Sequence, residues 1–296
     1  MNICDLHCDT LIYKQPLLKN RLAVDFCRMG RYEHYMQFFA VCPDPEEKKA
    51  EYALEYAKFF RGELAKNGLP LCKSFQDLEA CWKDGKPALF LSLEGGGVIG
   101  CMSDLERLFA AGFRMFSLTW NKKNQLAGGA DDPDAGLTDF GGIIAEKIEA
   151  MGGAVDLSHL NDRSFWEAAD VLKKPLIASH SNARAVCPHR RNLTDEQFLR
   201  IKKSGGCVGL NLCPHFLSEQ PPVRFSALSA HIAHFLSLGG AEQIGLGCDF
   251  DGTDSLPEDC RGIEELGRIS QILESDPGTT EKITHKNVLR VLEICL

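Results

Sequence analysis

Residues 154–192 constrain the fold more than any other part of the chain. Two short apolar runs, residues 154–157 and 175–178, are each followed by a serine and then a histidine, His159 and His180. The segment between them has helix-forming composition with apolar side chains on one face, so the stretch predicts a strand, a helix and a strand. Because parallel sheets bind ligands at the carboxyl ends of their strands, two successive histidines there indicate a metal site.

The same alternation of strand-like and helix-like segments runs through the whole chain. Eight strands are predicted, at residues 3–6, 36–41, 88–93, 113–119, 154–157, 175–178, 207–212 and 244–248. Eight strands that alternate with helices predict a parallel sheet closed into a (β/α)8 TIM barrel, with residues 1–296 as one domain. A doubly wound open sheet is the alternative fold.

Three local predictions accompany this fold. Asp44 and Pro45 are predicted to begin the helix that follows the second strand. His231 and His234 are predicted to be solvent-exposed on the polar side of a later helix. Residues 121–138 are rich in Gly, Asp and Asn without an apolar period, which predicts a long loop over the site.

Composition limits the partners and the compartment. A formal net charge of −8 argues against nucleic acid or an anionic membrane as the main partner. No run of 18 apolar residues occurs, and residues 1–8 do not look like a secretory signal. The 13 cysteines are odd in number and contain no CxxC pair, so reduced thiols and a cytoplasmic location are expected.

Six polar residues at predicted strand ends would converge at one rim of a barrel. They are His7, Asp9, Glu94, His159, His180 and Asp249. Any one of them alone is more readily explained as a capping or core polar residue, but the whole set is hard to explain in that way. Imidazoles and carboxylates suit zinc or a similar divalent ion, and their number fits two ions with Glu94 between them. Two ions about 3.5–4 Å apart can share a hydroxide and polarise a carbonyl.

The chain also resembles the membrane (renal) dipeptidases, a branch of the metal-dependent amidohydrolases. The resemblance covers nearly the whole sequence and rests on the motifs DLHCDT, LEGG, GLTDFG, DLSH, SHSNARAVCPHRRN, GCDFDG and NVLRVL. Among these, the SHSNARAVCPHRRN segment is specific. The resemblance implies a (β/α)8 fold and hydrolysis of small dipeptides, with tolerance of a D-residue at the carboxyl end.

The resemblance also implies a role for each site residue. One zinc would be held by His7, Asp9 and Glu94, and the other by Glu94, His159 and His180. Arg191 matches the residue that binds the substrate carboxylate, and Asp249 matches the acid/base aspartate. Arg190 is expected to be a surface residue, and Asp251 is expected to cap the turn at Gly252.

One position departs from the family pattern. Better-known members carry a histidine after the Leu-Thr of the fourth strand, where it donates to the carbonyl oxygen in the transition state, and this chain has Trp120. The loss of one such donor costs roughly 100- to 1,000-fold in rate. The Trp120 indole, Asn121 or Asn124 could replace it, and His189 is expected to be exposed.

Three functions remain open at this point. The first is a zinc dipeptidase with a small dipeptide as its partner and a homodimer as an allowed assembly. The second is an amidohydrolase that acts on a cyclic amide, a lactone or an N-acyl amino acid. The third is a metal-binding protein without catalysis, for which Trp120 is the only argument. Arg191 discriminates between the first two, because only a substrate with a free carboxylate needs it.

Overall fold

The computed structural model describes residues 1–44, 46–273 and 276–296. Within these ranges eight strands form a closed parallel barrel, in which each strand pairs with its neighbours in sequence and the eighth pairs with the first. The strands are β1 (Asn2–Cys8), β2 (His34–Val41), β3 (Ala88–Glu94), β4 (Phe113–Ser117), β5 (Ala154–Asp156), β6 (Ile177–Ala178), β7 (Cys207–Leu210) and β8 (Ile244–Leu246). Each of them overlaps a predicted strand. The predicted (β/α)8 barrel is therefore confirmed, and the open sheet was the wrong alternative.

Helices connect the strands and surround the barrel. They are α1 (Phe26–Met29), α2 (Ala50–Lys66), α3 (Phe75–Lys83), α4 (Met102–Ala111), α5 (Asp139–Ala150), α6 (Asp162–Val171), α7 (Asp195–Lys203), α8 (Pro214–Leu217), α9 (Leu228–Ser237), α10 (Ile269–Ile272), α11 (Pro277–Glu281) and α12 (Asn287–Cys295). Short 3-10 segments lie at Thr10–Tyr13, Gly96–Val98, Phe225–Ala227 and Ile263–Arg268, and a π-helical turn at Lys282–Lys286. Across the described ranges, no helix is both long enough and apolar enough to cross a membrane.

The start of α2 differs from the prediction. The helix begins at Ala50, and Pro45 lies outside the described residues. Asp44 does accept a backbone hydrogen bond, from the N–H of Glu46 at 2.9 Å. The side chain of Glu47 then accepts the N–H of Lys49 at 2.8 Å. These local bonds precede the helix, because Asp and Glu side chains can take backbone donors that a helix would otherwise use.

Side chains of the strands alternate between the barrel interior and the layer beneath the helices. On β3, Phe90 packs in the interior against Phe38, whereas Leu91 packs in the outer layer. Val288 and Leu292 of α12 belong to the interior cluster. The amino-terminal half of the barrel is therefore filled with apolar side chains and closed by α12. The carboxyl-terminal rim remains for polar groups.

A bulge in β1 turns a functional side chain inward. Leu6 packs in the interior cluster and Cys8 in the outer layer, so simple alternation from Leu6 would point His7 outward. The register with β2 shifts between Asp5 and Cys8, where β1 spans one residue more than its partner. Because of this extra residue, His7 joins the interior side, as does Asp9 two residues later.

Glycine is required where β8 passes the end of β6. A Cβ atom on Gly247 would lie 1.6 Å from the carbonyl oxygen of Ser179, the residue that precedes His180. We expect Gly247→Ala to lower the free energy of unfolding by about 1–3 kcal/mol or more, because the backbones must separate. Urea unfolding would measure this. As a control, Gly62→Ala in α2 meets nothing within 4 Å, and should stabilise by about 0.5–1 kcal/mol. An unchanged stability in Gly247→Ala would contradict the close approach.

Candidate active site

The six polar residues predicted to converge do so, at the carboxyl-terminal rim of the barrel. All are buried, with between 0% and 8% of their surface exposed: His7, Asp9, Glu94, His159, His180 and Asp249. Two groups of three have ligating atoms that all lie within 4.8 Å of one another, namely His7, Glu94 and His180, and His7, Asp9 and Asp249.

The carboxylate of Glu94 lies between two sets of donors. Its Oε1 is 2.7 Å from Nε2 of His159 and 3.6 Å from Nε2 of His180. Its Oε2 is 3.4 Å from Nε2 of His7, and that nitrogen is 3.2 Å from Oδ2 of Asp9. One carboxylate therefore faces a different set of ligating atoms with each of its oxygens.

Burial and charge place Glu94, His159 and His180 in states suited to a cation. Burial would lower the pKa of His7, but Glu94 and Asp9 raise it well above its usual value, and burial raises the pKa of Asp9, so these two groups would release protons on binding an ion. Burial lowers the pKa of His159 to about 4 and the pKa of His180 well below its usual value, so both rings are neutral. Burial alone would raise the pKa of Glu94, but His7 and His159 hold it well below its usual value. Oδ1 of Asp9 is buried and has no hydrogen-bond partner among the described residues. Neutral imidazoles, an ionised carboxylate and an unpartnered carboxylate oxygen fit a divalent metal ion.

Two of the site residues have strained backbone. His159 has a φ of 70° and Asp249 a φ of 60°, in the left-handed region that side-chain-bearing residues seldom adopt. The carbonyl of His159 accepts the N–H of Ala130 at 2.9 Å, and the N–H of Asp249 donates to the carbonyl of His7 at 3.1 Å. These bonds tie each strained residue to a neighbouring segment. Such strain is typical of functional positions.

Asp249 is held beside the centre by a residue that the sequence did not assign to the site. Nδ2 of Asn211, just beyond the end of β7, donates to Oδ2 of Asp249 at 2.9 Å. The position of Asn211 at the end of a predicted strand is the feature of the sequence that could have indicated this role. A Cβ on Gly252 would lie 2.1 Å from Oδ2 of Asp9 and 2.6 Å from Oδ1 of Asp249, so only glycine fits against both carboxylates. Burial raises the pKa of Asp249 to about 6.

The loop after β4 passes over the site, as predicted, and places three candidate donors differently. Oδ1 of Asn121 lies 2.8 Å from Nδ1 of His159, so its carbonyl group supports that ring. Asn124 is occupied in its own turn, because Nδ2 donates to the carbonyl of Leu118 and Oδ1 accepts the N–H of Leu126, each at 2.8 Å. Trp120 lines the cavity and is 37% exposed. Within the described chain no group accepts a hydrogen bond from its indole.

Arg191 is buried without a carboxylate partner. Its side chain lines the cavity with 6% of the residue exposed, and no Asp or Glu oxygen in the described ranges lies within 4.0 Å. Nη2 donates to the carbonyl of His180 at 3.5 Å, and Nε is unpartnered among the described residues. Arg190, by contrast, is exposed and pairs with Asp131 at 2.7 Å. A buried guanidinium that faces a cavity in this way is suited to an anionic ligand.

Four other residues complete the test of the sequence predictions. His189 is half-buried, not exposed, because its ring packs 4.5 Å from the ring of Phe216 and its Nδ1 accepts the N–H of Arg191. His231 is wholly buried, whereas His234 is partly exposed and pairs with Asp195. The carboxylate of Asp251, which was expected to cap the turn at Gly252, bonds to other segments.

The carboxylate of Asp251 joins two distant segments. It accepts hydrogen bonds from Oγ1 of Thr10 at 2.6 Å and from the N–H of Ala23 at 2.8 Å. These contacts link the loop after β8 to the loop after β1. Asp251 therefore has a structural role beside Asp249.

The site opens into one cavity of about 800 Å³. On the β6 side it is lined by Arg191 and His189, and on the β1 and β2 side by Tyr13, Tyr52 and Tyr56. Because β2 lies opposite β6 in an eight-stranded barrel, the segments that carry the guanidinium and the tyrosines follow strands on different sides of the polar centre. The cavity can therefore hold a small molecule with an anionic end above the candidate ligands.

Histidines and carboxylates that could hold a metal ion, at this rim of a (β/α)8 barrel, are the arrangement expected of a metal-dependent hydrolase. The sequence model of the membrane dipeptidases, peptidase family M19, matches residues 1–295. The chain belongs to this family of metallo-dipeptidases, which are hydrolases that act on peptide bonds.

Similar sequences and structures agree with this assignment. A protein of unknown function from the pqqA 5' region of Klebsiella pneumoniae is 35% identical over 243 residues, 76% of this chain and 88% of that protein. An uncharacterised dipeptidase of Schizosaccharomyces pombe is 33% identical over 241 residues, 77% of this chain and 57% of that protein.

Two solved structures superpose on the whole chain. The dipeptidase AC, a metallopeptidase of family M19, has a TM-score of 0.89 at 27% identity, and covers 100% of this chain and 98% of its own. A metallopeptidase of Rhodobacter sphaeroides, bound to a phosphinate mimic of the dipeptide L-Ala-D-Ala, has a TM-score of 0.88 at 26% identity. That superposition covers 100% of this chain and 99% of the other.

The buried His231 predicts a pH-dependent contribution to stability. Its Nδ1 accepts the N–H of Ala183 at 3.1 Å and its Nε2 donates to the carbonyl of Leu217 at 3.0 Å, which ties the β6 loop to α8. Burial lowers its pKa below the usual 6.5, so the unfolded chain binds this proton more readily than the folded chain. The contribution of His231 to the free energy of unfolding is fully present above pH 6.5 and is lost as the pH falls below it.

We expect the free energy of unfolding of the wild type to fall more steeply between pH 7 and pH 5 than that of His231→Gln. The difference cannot exceed about 1.4 kcal/mol per pH unit, the limit for one proton. Chemical unfolding at each pH would measure it. Equal slopes in the two proteins would contradict a neutral, buried His231.

Proposed function

We propose that this protein is a zinc-dependent dipeptidase that hydrolyses small L–L and L–D dipeptides. The observation that carries the proposal is a cluster of buried histidines and carboxylates beside the cavity that Arg191 lines, where Arg191 is a buried cation without a carboxylate partner among the described residues. The relative from Rhodobacter sphaeroides that binds a mimic of L-Ala-D-Ala supports the inclusion of L–D dipeptides. Nitrogen and oxygen donors of this kind support zinc.

The proposed centre holds two ions that share Glu94. His7 and Asp9 would complete one site with Oε2, and His159 and His180 would complete the other with Oε1. The opposite placement of the two oxygens, 3.4 Å from His7 and 2.7 Å from His159, supports this division. When bound, the ions would supply a shared hydroxide as nucleophile and polarise the peptide carbonyl.

Two side chains would position the substrate and move the proton. The planar guanidinium of Arg191 suits a bidentate contact with the terminal carboxylate of a dipeptide. This contact would direct the amino-terminal residue across the centre toward the tyrosines near β2. Asp249, with its pKa raised by burial to about 6, would accept the proton of the attacking water and pass it to the leaving amine.

Trp120 stands where the family's better-known members have a donor histidine. We propose that its indole N–H, or the amide of Asn121 beside it, contacts the substrate carbonyl oxygen. Both residues line the cavity, and the indole has no acceptor in the described ranges. Asn124 does not take this role, because its side chain is bonded within the loop.

The presence of Trp120 in place of the family's histidine also supports a second candidate function. An amidohydrolase for a cyclic amide, a lactone or an N-acyl amino acid would use the same centre with a different donor geometry. The unpartnered guanidinium of Arg191 argues for a substrate with a free carboxylate, which a dipeptide or an N-acyl amino acid supplies. A metal-binding protein without catalysis would need neither Arg191 nor the constrained Asp249.

We also propose a cytoplasmic location. All 13 cysteines are free thiols, and most of them are buried. A reducing compartment keeps such thiols unpaired.

The proposal predicts how Arg191 variants behave. Arg191→Ala should lower kcat/KM for a dipeptide by about 100-fold or more, because truncating a buried charge pair costs several kcal/mol. Turnover of the corresponding dipeptide amide, which lacks the carboxylate, should change much less. Steady-state kinetics on the two substrates would separate the effects.

Arg190→Ala is the matched control, because Arg190 is exposed and already paired with Asp131. It should retain turnover within a few-fold of the wild type. Unchanged dipeptide turnover in Arg191→Ala would reject the dipeptidase in this form. Equal losses of turnover on the dipeptide and on the dipeptide amide would show that Arg191 does not bind the substrate carboxylate.

A further inference from the structure

A buried carboxylate beneath the proposed centre accepts four hydrogen bonds. Asp156, at the end of β5, is 1% exposed. Its Oδ1 accepts the backbone N–H of Ser158 at 2.9 Å and that of Ser179 at 2.8 Å. Its Oδ2 accepts the hydroxyl of Ser117 at 2.7 Å and that of Ser179 at 2.6 Å. The carboxylate is the acceptor in all four contacts, so the Ser179 hydroxyl donates its hydrogen to Asp156.

The direction of the bond from Ser179 to Asp156 also determines which ring nitrogen of His180, a proposed metal ligand, carries the hydrogen. Oγ of Ser179 lies 2.6 Å from Nδ1 of His180. Because the Ser179 hydroxyl gives its single hydrogen to Asp156, its oxygen must accept from the ring, and Nδ1 therefore carries the hydrogen. Nε2 of the neutral ring then carries a lone pair and no hydrogen. It lies 2.8 Å from Nε2 of His159 and 3.6 Å from Oε1 of Glu94.

We propose that Asp156, acting through Ser179, is a positioning residue that holds His180 in its Nδ1–H tautomer and keeps Nε2 free to bind a metal ion. This inference rests on the centre proposed above and assigns a role to two residues outside the ligand set. Groups that orient a ligating histidine typically change metal affinity by about 10- to 100-fold when they are removed.

The effect should be confined to one half of the centre. Nδ1 of His159 is oriented separately, by Oδ1 of Asn121 at 2.8 Å. Nδ1 of His7 has no hydrogen-bond partner among the described residues. Neither ring depends on Ser179. Loss of its hydroxyl should therefore weaken the ion at His159 and His180 and leave the ion at His7 and Asp9 unaffected.

Titration of the metal-free protein with Zn²⁺ or Co²⁺ against a competing chelator tests this selectivity without any assay of catalysis. Ser179→Ala should lower the affinity of one site by about 10- to 100-fold and leave the other site unchanged. Ser179→Thr, which keeps the hydroxyl, should restore most of the loss. Ser117→Ala is the matched control, since it removes the other hydroxyl from the same Oδ2 without touching His180. Equal effects of the two alanine variants would overturn the proposal.

Asp156→Asn provides a second test, because it should place the ring hydrogen of His180 on Nε2, whereas the wild type should have it on Nδ1. The two backbone N–H groups at Oδ1 would keep the amide oxygen there, so the amide NH₂ would replace Oδ2 and face Ser179. The Ser179 hydroxyl would then donate to His180, which places the ring hydrogen on Nε2 and blocks metal binding. ¹⁵N spectra of histidine-labelled, metal-free protein report this tautomer. A wild-type His180 with its hydrogen on Nε2, or an Asp156→Asn protein with an unchanged tautomer, would overturn the proposal.

These readouts also separate this inference from the proposed function. A wild type that binds only one ion would contradict the two-ion centre, and the metal-free spectra would still decide the tautomer. A wild type that binds two ions, with no site weakened in Ser179→Ala, would contradict the positioning role alone.

Discussion

The site depends on the carboxylate of Glu94, which faces different ligating atoms with its two oxygens. Glu94 is the last residue of β3, on the interior side of the strand and directly above the apolar filling of the barrel. Burial alone would favour its protonated form, yet the surrounding imidazoles keep it ionised. A buried anion between two sets of neutral and charged donors is costly by itself and is stabilised when a cation joins it.

The barrel supplies this geometry through a few local irregularities. The bulge in β1 turns His7 inward, and left-handed backbone at His159 and Asp249 directs their side chains to the same point. Gly252 allows the chain to pass beside two carboxylates. Each of these irregularities lies close to the carboxyl-terminal rim of the barrel. The strain is therefore held at the rim, where it can serve binding and catalysis.

The sequence predicted the eight strands and the convergence of the six polar residues, because both follow from periodicity and from the topology of a closed barrel. It did not predict which polar side chains support others. Asn121 was expected to contact substrate, but the sequence did not show that its side-chain carbonyl also lies against His159. Asp156 and Ser179 belong to the same strand-end motifs as the histidines, but a serine before a histidine does not reveal a bond between them.

The burial of single side chains was the property that the sequence predicted least well. His231 lies on a helix whose pattern suggested solvent, yet two backbone groups from other segments surround it. His189 is covered by Phe216, which is distant in sequence. Such contacts arise from loop packing rather than from local periodicity. The late start of α2 has a different cause, since local side-chain acceptors at Asp44 and Glu47 take backbone donors that precede the helix.

The central claim is that this centre hydrolyses dipeptides in a metal-dependent way. The most direct measurement is the release of amino acids from a panel of L–L and L–D dipeptides by zinc-loaded and chelator-stripped protein, side by side. The account predicts turnover in the loaded protein, its loss on stripping and its return when zinc is restored. Asp249→Asn, loaded in the same way, should be inactive and so exclude a contaminating peptidase. A protein that binds two ions per chain and releases no amino acid from any dipeptide would contradict the account.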